Sequence, residues 1–305
     1  MHSHHKPQHT KRANYCLFLL VLCTFVLLPK TSMAGPWSKK PGHLYLKLGQ
    51  AFYTARDFVT AQQSVQKGAE YFGTQTSLYA EVGLFYGFQL QGFVPFHYGQ
   101  IYYQDTRSLY RLNGPGDAVV GLQWTPPPLQ KALGFPMAVR FNVKLPMFDV
   151  GKAAQDGGES AAFFPTMSDG QVDFTTWLSA GGPLPKLPLY LFAEVGYRFR
   201  TELFLQGMPV FQRSQPDTPL QFLDAFVFRA RLGWNFAKKM MATVTFSGEI
   251  PLGQDEVSKG HINLGFGLYF PIAHGLAVEA SLDPNVWAQS AARGASIMLG
   301  LSYNR

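Results

Sequence analysis

Between residues 35 and 305, acid–base chemistry near neutrality falls to four histidines, His43, His97, His261 and His274. His261 stands three residues after Ser258, with Asp255 and Glu256 close by. A serine, an imidazole and an acid are the parts of an activated nucleophile, provided the base lies within hydrogen-bond reach. A solvated polar loop accounts for the same residues, and the chain has no GxSxG, HExxH, phosphate-loop or paired-cysteine pattern. No enzyme is expected. Asp149, Asp156, Glu159 and Asp169 share one stretch with Gly157 and Gly158. Calcium needs several oxygens converging, and this spacing is not that of an EF-hand, so neither metal nor cofactor is expected. The remaining candidates are arginines two residues apart: Arg198 and Arg200, then Arg229 and Arg231. Residues two apart share a face only in an extended chain.

The elements that must position them are therefore strands. In 189–200, LYLFAEVGYRFR, Leu189, Leu191, Ala193, Val195, Tyr197 and Phe199 fall on one face, and Tyr190, Phe192, Glu194, Gly196, Arg198 and Arg200 on the other. The same alternation predicts strands at 43–53, 77–86, 89–98, 117–124, 137–146, 171–180, 189–200, 224–236, 241–250, 261–270, 275–283 and 294–303. Each is close to the nine to eleven residues with which a tilted strand crosses a bilayer. Connections alternate long (54–76, 99–116, 147–170, 201–223) and short (87–88, 181–188, 237–240, 271–274), with 125–136, 251–260 and 287–293 between. Long loops at one end and turns at the other mark a membrane β-barrel. The predicted fold is a transmembrane antiparallel up-and-down barrel of about twelve strands, with ten or fourteen as alternatives. Pro95 and Pro146 fall within predicted strands, where the missing N–H demands a bulge or a strand end.

One face of each strand is apolar, as in Met137, Val139, Phe141, Val143 and Leu145. The other carries the mid-strand charges: Lys47, Glu81, Asp117, Arg140, Lys144, Asp173, Glu194, Arg198, Arg200, Arg229, Arg231, Glu249 and Glu279. Lys or Arg facing lipid at the bilayer midplane costs about 2–4 kcal/mol, so the apolar face is assigned to lipid and the charges to a lumen. Arg198, Arg200, Arg229 and Arg231 form either a basic ladder that favours anions or a structural network with Glu194, Asp173 and Glu249. Size does not decide: barrels of about eight strands are filled by side chains, and those of sixteen to eighteen hold a water channel. Tyr79, Phe93, Trp177, Tyr190, Phe192 and Tyr269 share the inward parity and would either line a path for a flat or apolar solute or plug it. Glu194 and Arg198 lie about 13 Å apart along one strand at roughly 3.3 Å per residue, so their partners must come from neighbouring strands. Asp173 and Arg229 are the nearest candidates. Tyr86, Trp124, Phe236, Phe270 and Tyr303 end strands running toward the short-turn side on the apolar face, as a periplasmic aromatic girdle requires.

The first 34 residues are a separate matter. Lys6, Lys11 and Arg12 precede an apolar run, 16–28, and Ser32 and Ala34 follow it. These are the three parts of a cleaved signal peptide, too short to span a bilayer comfortably. The expected domains are a signal at 1–34 and a barrel at 35–305. Both cysteines, Cys16 and Cys23, leave with the signal, excluding disulfide and thiol chemistry. Loss of Lys6, Lys11, Arg12 and Lys30 lowers the formal charge from +7 to +3, so a nucleic-acid partner is not implied.

GPWSKKPGHLYLKLGQAFYTARDF (35–58), GPGDAVVGLQW (114–124), SDGQVDF (168–174), AEVGYRFR (193–200) and the terminal MLGLSYNR together resemble a family of outer-membrane proteins named after the meta-pathway of phenol degradation. The resemblance covers most of the chain after the signal. It implies a barrel and, loosely, transport, and supplies no site residues. Asn304 and Arg305 after Tyr303 depart from the aromatic terminus common in such barrels. The expected location is the bacterial outer membrane, with the lipid bilayer and the barrel-assembly machinery as partners. The expected role is passive passage of a small solute, aromatic or hydrophobic. A closed barrel acting through its loops and a barrel enzyme are the alternatives.

Overall fold

The computed structural model describes residues 36–104, 107–147, 168, 170–204, 222–237, 240–255 and 258–305. A strand exposed to lipid is tolerated only when both edges are hydrogen-bonded, and this chain meets the demand by closing on itself. Twelve antiparallel strands follow one another round the wall: β1 (Leu44–Val59), β3 (Ala69–Gly83), β4 (Phe88–Tyr103), β6 (Ala118–Trp124), β7 (Met137–Leu145), β8 (Gln171–Pro183), β9 (Leu189–Phe204), β10 (Ala225–Phe236), β11 (Met240–Pro251), β12 (Gly260–Ala273), β13 (Leu276–Gln289) and β14 (Ala291–Asn304). β14 returns to pair with β1 from Tyr45↔Asn304 to Val59↔Ala291. Beyond the last rung, Leu44 and Arg305 exchange two backbone hydrogen bonds of 3.1 and 2.9 Å, fastening the seam at the chain ends. The predicted up-and-down transmembrane barrel is the observed fold.

Two short strands, β2 (Val65–Gln66) and β5 (Ser108–Pro115), stand outside this circuit as partners of β1 and β4. They arise where the sequence suggested loops. β1 continues to Val59 and β3 already starts at Ala69, so most of the expected polar loop 54–76 is strand. Period-two polarity fades there; Arg56 and Glu70, for example, form an exposed pair at 3.7 Å. In the same way 99–116 is the end of β4 plus β5, and 287–293 is strand except for Ser290, which turns the chain at φ +48°. The expected strand 77–86 ends at Gly83, so Tyr86 lies in the turn beyond it, with φ +52°.

The prolines locate the irregularities. Pro95 sits inside β4 at the point where that strand changes neighbours: Phe88–Phe93 pair with β6, and Phe96–Tyr103 pair with β5. Lacking an N–H, Pro95 leaves a rung that neither partner needs to fill, while its carbonyl accepts from Gly116 N at 2.9 Å. Pro146 follows the last residue of β7. The 125–136 link carries a short helix, α1 (Pro127–Leu133), stopped by Gly134 in the left-handed conformation.

Leu48, Leu78, Leu122, Phe141, Leu191, Val195, Phe246, Leu268 and Leu299 are among the large apolar side chains exposed on the outside of the wall. The inside holds the carboxylates Glu81, Asp173, Glu194 and Glu249, all buried. This is the polarity of a soluble protein inverted. Val195→Arg on the outer face of β9 is expected to lower the unfolding free energy by about 2–4 kcal/mol in phospholipid vesicles, measured by denaturant titration, with Val195→Leu unchanged.

Candidate functional site

The lumen is organised by carboxylates that each serve cations from different strands. Glu194 on β9 is opposite Arg229 on β10 in register, and their charged atoms approach to 3.1 Å. Its other oxygen accepts from Arg140 Nη2 at 2.9 Å, across the intervening β8. Two inter-strand steps are about 9–10 Å, a gap that the long guanidinium side chain closes. Arg140 also stands 5.1 Å from the centre of the Trp177 ring. That indole lies over Gly196, where any Cβ would come within 3.0 Å of it. Higher on β9, Arg198 Nη1 donates to both oxygens of Glu249 at 2.8 and 2.7 Å, and Arg200 Nη2 donates to one of them at 2.7 Å. Lys144 bridges Asp173 at 2.8 Å and Asp117 at 3.4 Å. Across the barrel, Lys47 pairs with Glu279, which also accepts from the Tyr45 hydroxyl at 2.9 Å.

Most of the basic ladder is thus engaged in cross-strand bridges. Of the partners expected for Glu194 and Arg198, Arg229 pairs with Glu194. Asp173 instead bridges to Lys144, and Arg198 finds its carboxylate two strands away on β11. Arg231 differs from the rest: its Nε donates to Thr245 Oγ1 at 3.1 Å, and no carboxylate pairs with it among the described residues. Arg229 also differs. Its side chain is 43% accessible although it points inward from the middle of β10. The space beside it is open rather than packed.

The short-turn half of the lumen contains something that no periodicity announced. Residues preceding β1 fold back inside the barrel. Pro36 O accepts from Thr125 Oγ1 at 2.7 Å, Lys39 N donates to Gln89 Oε1 at 2.9 Å, and Lys39 Nζ lies 3.6 Å from Glu81 and 3.2 Å from Asn304 Oδ1. Trp37 packs against a buried cluster of Tyr190, Phe192 and Met241, with Tyr269 alongside. Gly233 makes this packing possible: it faces Tyr190 in register, and a Cβ there would fall inside the tyrosine ring. In the sequence, Trp37 and Lys39 stand out only as part of the stretch 35–58 that resembles a family. Their role depends on contacts with residues 50 to 265 positions away, which local pattern does not encode.

The other inward aromatics are distributed round the wall. Tyr79 donates its hydroxyl to Glu81 at 2.6 Å, and Phe93 ends the pairing of β4 with β6. Of the aromatics at the short-turn end, Trp124 stacks on Phe88 at 5.9 Å, Phe236 contacts Trp234 at 5.4 Å, and Phe270 is exposed on the outer face. Tyr303 lies near the end of β14, and Tyr86, 80% exposed, packs edge-on against Phe85. The serine–histidine group does not assemble around a reactive hydroxyl. Ser258 is buried, donates to Asp255 Oδ2 at 2.7 Å and accepts from Leu223 N at 2.9 Å, which ties two loop segments together. His261 instead lies in β12 opposite Glu249. Glu256, and the acidic stretch of Asp149, Asp156, Glu159 and Asp169, lie outside the described residues, as does the expected signal segment 1–34.

No family model and no curated protein sequence matches this chain. Among solved structures, an outer-membrane channel from Pseudomonas putida F1 superposes with a TM-score of 0.67 at 7% identity, covering 90% of this chain and all of that one. The NanC porin (TM-score 0.48, 8% identity, 85% and 98% coverage) and a mutant of the TodX monoaromatic hydrocarbon channel (0.47, 7%, 89% and 93%) are more distant. At these identities the likeness to the Pseudomonas protein is one of fold.

Glu194 is the shared anchor of β7, β9 and β10, and its side chain is only 1% accessible. Glu194→Ala should therefore destabilise the barrel by about 3 kcal/mol in urea unfolding, whereas Arg229→Ala, which removes a hydrated cation, should cost about 1 kcal/mol.

Proposed function

We propose that this protein is an outer-membrane channel through which a small solute, aromatic or otherwise partly apolar, passes by diffusion. The observation that carries this reading is the accessible guanidinium of Arg229 inside a closed wall. In a barrel filled with side chains, as eight-stranded ones are, a mid-strand inward residue would be packed against the opposite side. Twelve strands leave room, and the ion pairs line the wall instead of filling the bore. The charged, partly hydrated wall alternates with inward aromatic rings, a lining suited to a solute with both a polar and a flat apolar part. The fold shared with an outer-membrane channel supports the same reading. So does the resemblance to the phenol-degradation family.

In this reading residues 1–34 are a cleaved secretion signal, and residues 35–305 are inserted into the outer membrane by the barrel-assembly machinery. The bridges centred on Glu194, Glu249 and Asp173 hold the wall. The segment carrying Trp37 and Lys39 narrows the periplasmic half of the passage. The Ser258 hydroxyl is committed to Asp255 and to the Leu223 N–H.

Purified protein in planar bilayers should show discrete conductance steps in KCl. Trp37→Ala, which withdraws the indole from the lumen without touching the wall, should raise the unit conductance. A barrel that stays silent in both forms acts through its loops and not as a channel.

A further inference from the structure

We infer that the lumen contains a binding site for an aromatic carboxylate, with Arg229 and Arg231 receiving the carboxylate beside a wall of aromatic rings. Taking this ligand as the passing solute rests on the channel reading; the binding site itself does not. Three observations converge.

The first is a local surplus of positive charge. Arg140 and Arg229 both pair with Glu194, and Arg231 lies close to Arg229. Arg231 has a hydroxyl partner, Thr245, in place of a carboxylate. Elsewhere Lys47 with Glu279 and Lys39 with Glu81 are one to one, Lys144 has both Asp117 and Asp173, and Glu249 is shared by two arginines, Arg198 and Arg200. Three guanidiniums to one carboxylate leave this level of the lumen short of negative charge, and an anion in the bore would supply it.

The second is access. Arg229 is the residue of this group that the open lumen reaches, and Arg231 follows it two positions on along the same inward face of β10. Planar guanidiniums offer paired N–H donors that match the two oxygens of a carboxylate. The Tyr190 hydroxyl lies beside Arg231 and lacks a well-directed hydrogen bond, although the residue is only 4% accessible. It is a further donor close to the same place.

The third is the neighbourhood in register. Arg231 is opposite Phe192, and Gly233 is opposite Tyr190, so the rings begin level with Arg231 and continue one inward position below it. Tyr269, partly accessible, extends that wall from β12. A carboxylate held at Arg229 and Arg231 would direct an attached ring toward these side chains. A simple inorganic anion would use the charge but not the rings, and a neutral aromatic would use the rings but leave the charge unanswered.

The test is calorimetric titration of the purified full-length barrel with sodium benzoate, benzamide and sodium acetate. Benzoate should bind about tenfold more tightly than either of the others, because benzamide lacks the charge and acetate the ring. Arg231→Gln should weaken benzoate binding about tenfold by removing a charge-assisted donor. Arg231→Lys, which keeps the charge and loses the fork, should fall between, and it serves if the glutamine variant does not fold. Glu194→Gln should act in the opposite direction and tighten benzoate binding in the folded protein. Equal affinity for benzoate and benzamide, or for benzoate and acetate, overturns the proposal, as does benzoate binding unaffected by changes at both Arg231 and Glu194. Conductance in KCl, measured on the same preparation, separates the two readings. A conducting barrel indifferent to benzoate removes this site and leaves the channel; a barrel that binds benzoate without conducting does the reverse.

Discussion

Every backbone N–H and C=O in the wall must find its partner in an adjacent strand, because lipid provides none. That constraint leads to most of what is seen. It forces the last strand back onto the first along nearly their whole length, so the sheet has no edge. It also confines proline to places where the ladder can spare a rung, as at Pro95, where β4 passes from one neighbour to another. A closed wall in lipid then decides where side chains of each kind go. Apolar residues face out, and every mid-strand charge must face in.

Turning the charges inward creates a second constraint. Carboxylates and guanidiniums enclosed in a narrow bore need partners, and neighbours within one strand are too far apart to provide them. The solution is a set of bridges between strands, each centred on a buried acid: Glu194 for β7 and β10, Glu249 for two positions on β9, Asp173 for β7. These pairs brace the wall from within, where a soluble protein would use an apolar core. They also explain why a basic ladder and a structural network are not opposed here. Most of the arginines are committed to bridges, and the remainder, Arg229 in part and Arg231, gives the lumen its chemical character.

Among the described residues, one buried apolar cluster stands in the interior. Tyr190, Phe192 and Met241 form it, and Trp37 completes it from a segment that belongs to no strand. Cross-strand glycines make room for the large rings: Gly196 under Trp177 and Gly233 under Tyr190. Along β9 and β10 the bore is thus asymmetric, with ion pairs toward the long-loop end and rings toward the short-turn end.

Period-two alternation was enough to establish strands, faces and the inward parity of every charge from Lys47 to Glu279, because side-chain direction in a strand depends only on position parity. It was also enough to number the wall at twelve, since lipid imposes its polarity on each crossing. It failed where the alternation becomes irregular: the extension of β1 to Val59, the start of β3 at Ala69 and the β5 hairpin mix polar and apolar residues on each face. Of the bridges, only the adjacent-strand pair Glu194–Arg229 was legible. Arg140 reaches Glu194, and Arg198 reaches Glu249, across an intervening strand, and such reach depends on register and rotamer rather than parity. Nor could pattern place Trp37 inside the bore. A strand's sequence carries its own two faces; what fills the space between opposite walls is decided only when the barrel closes.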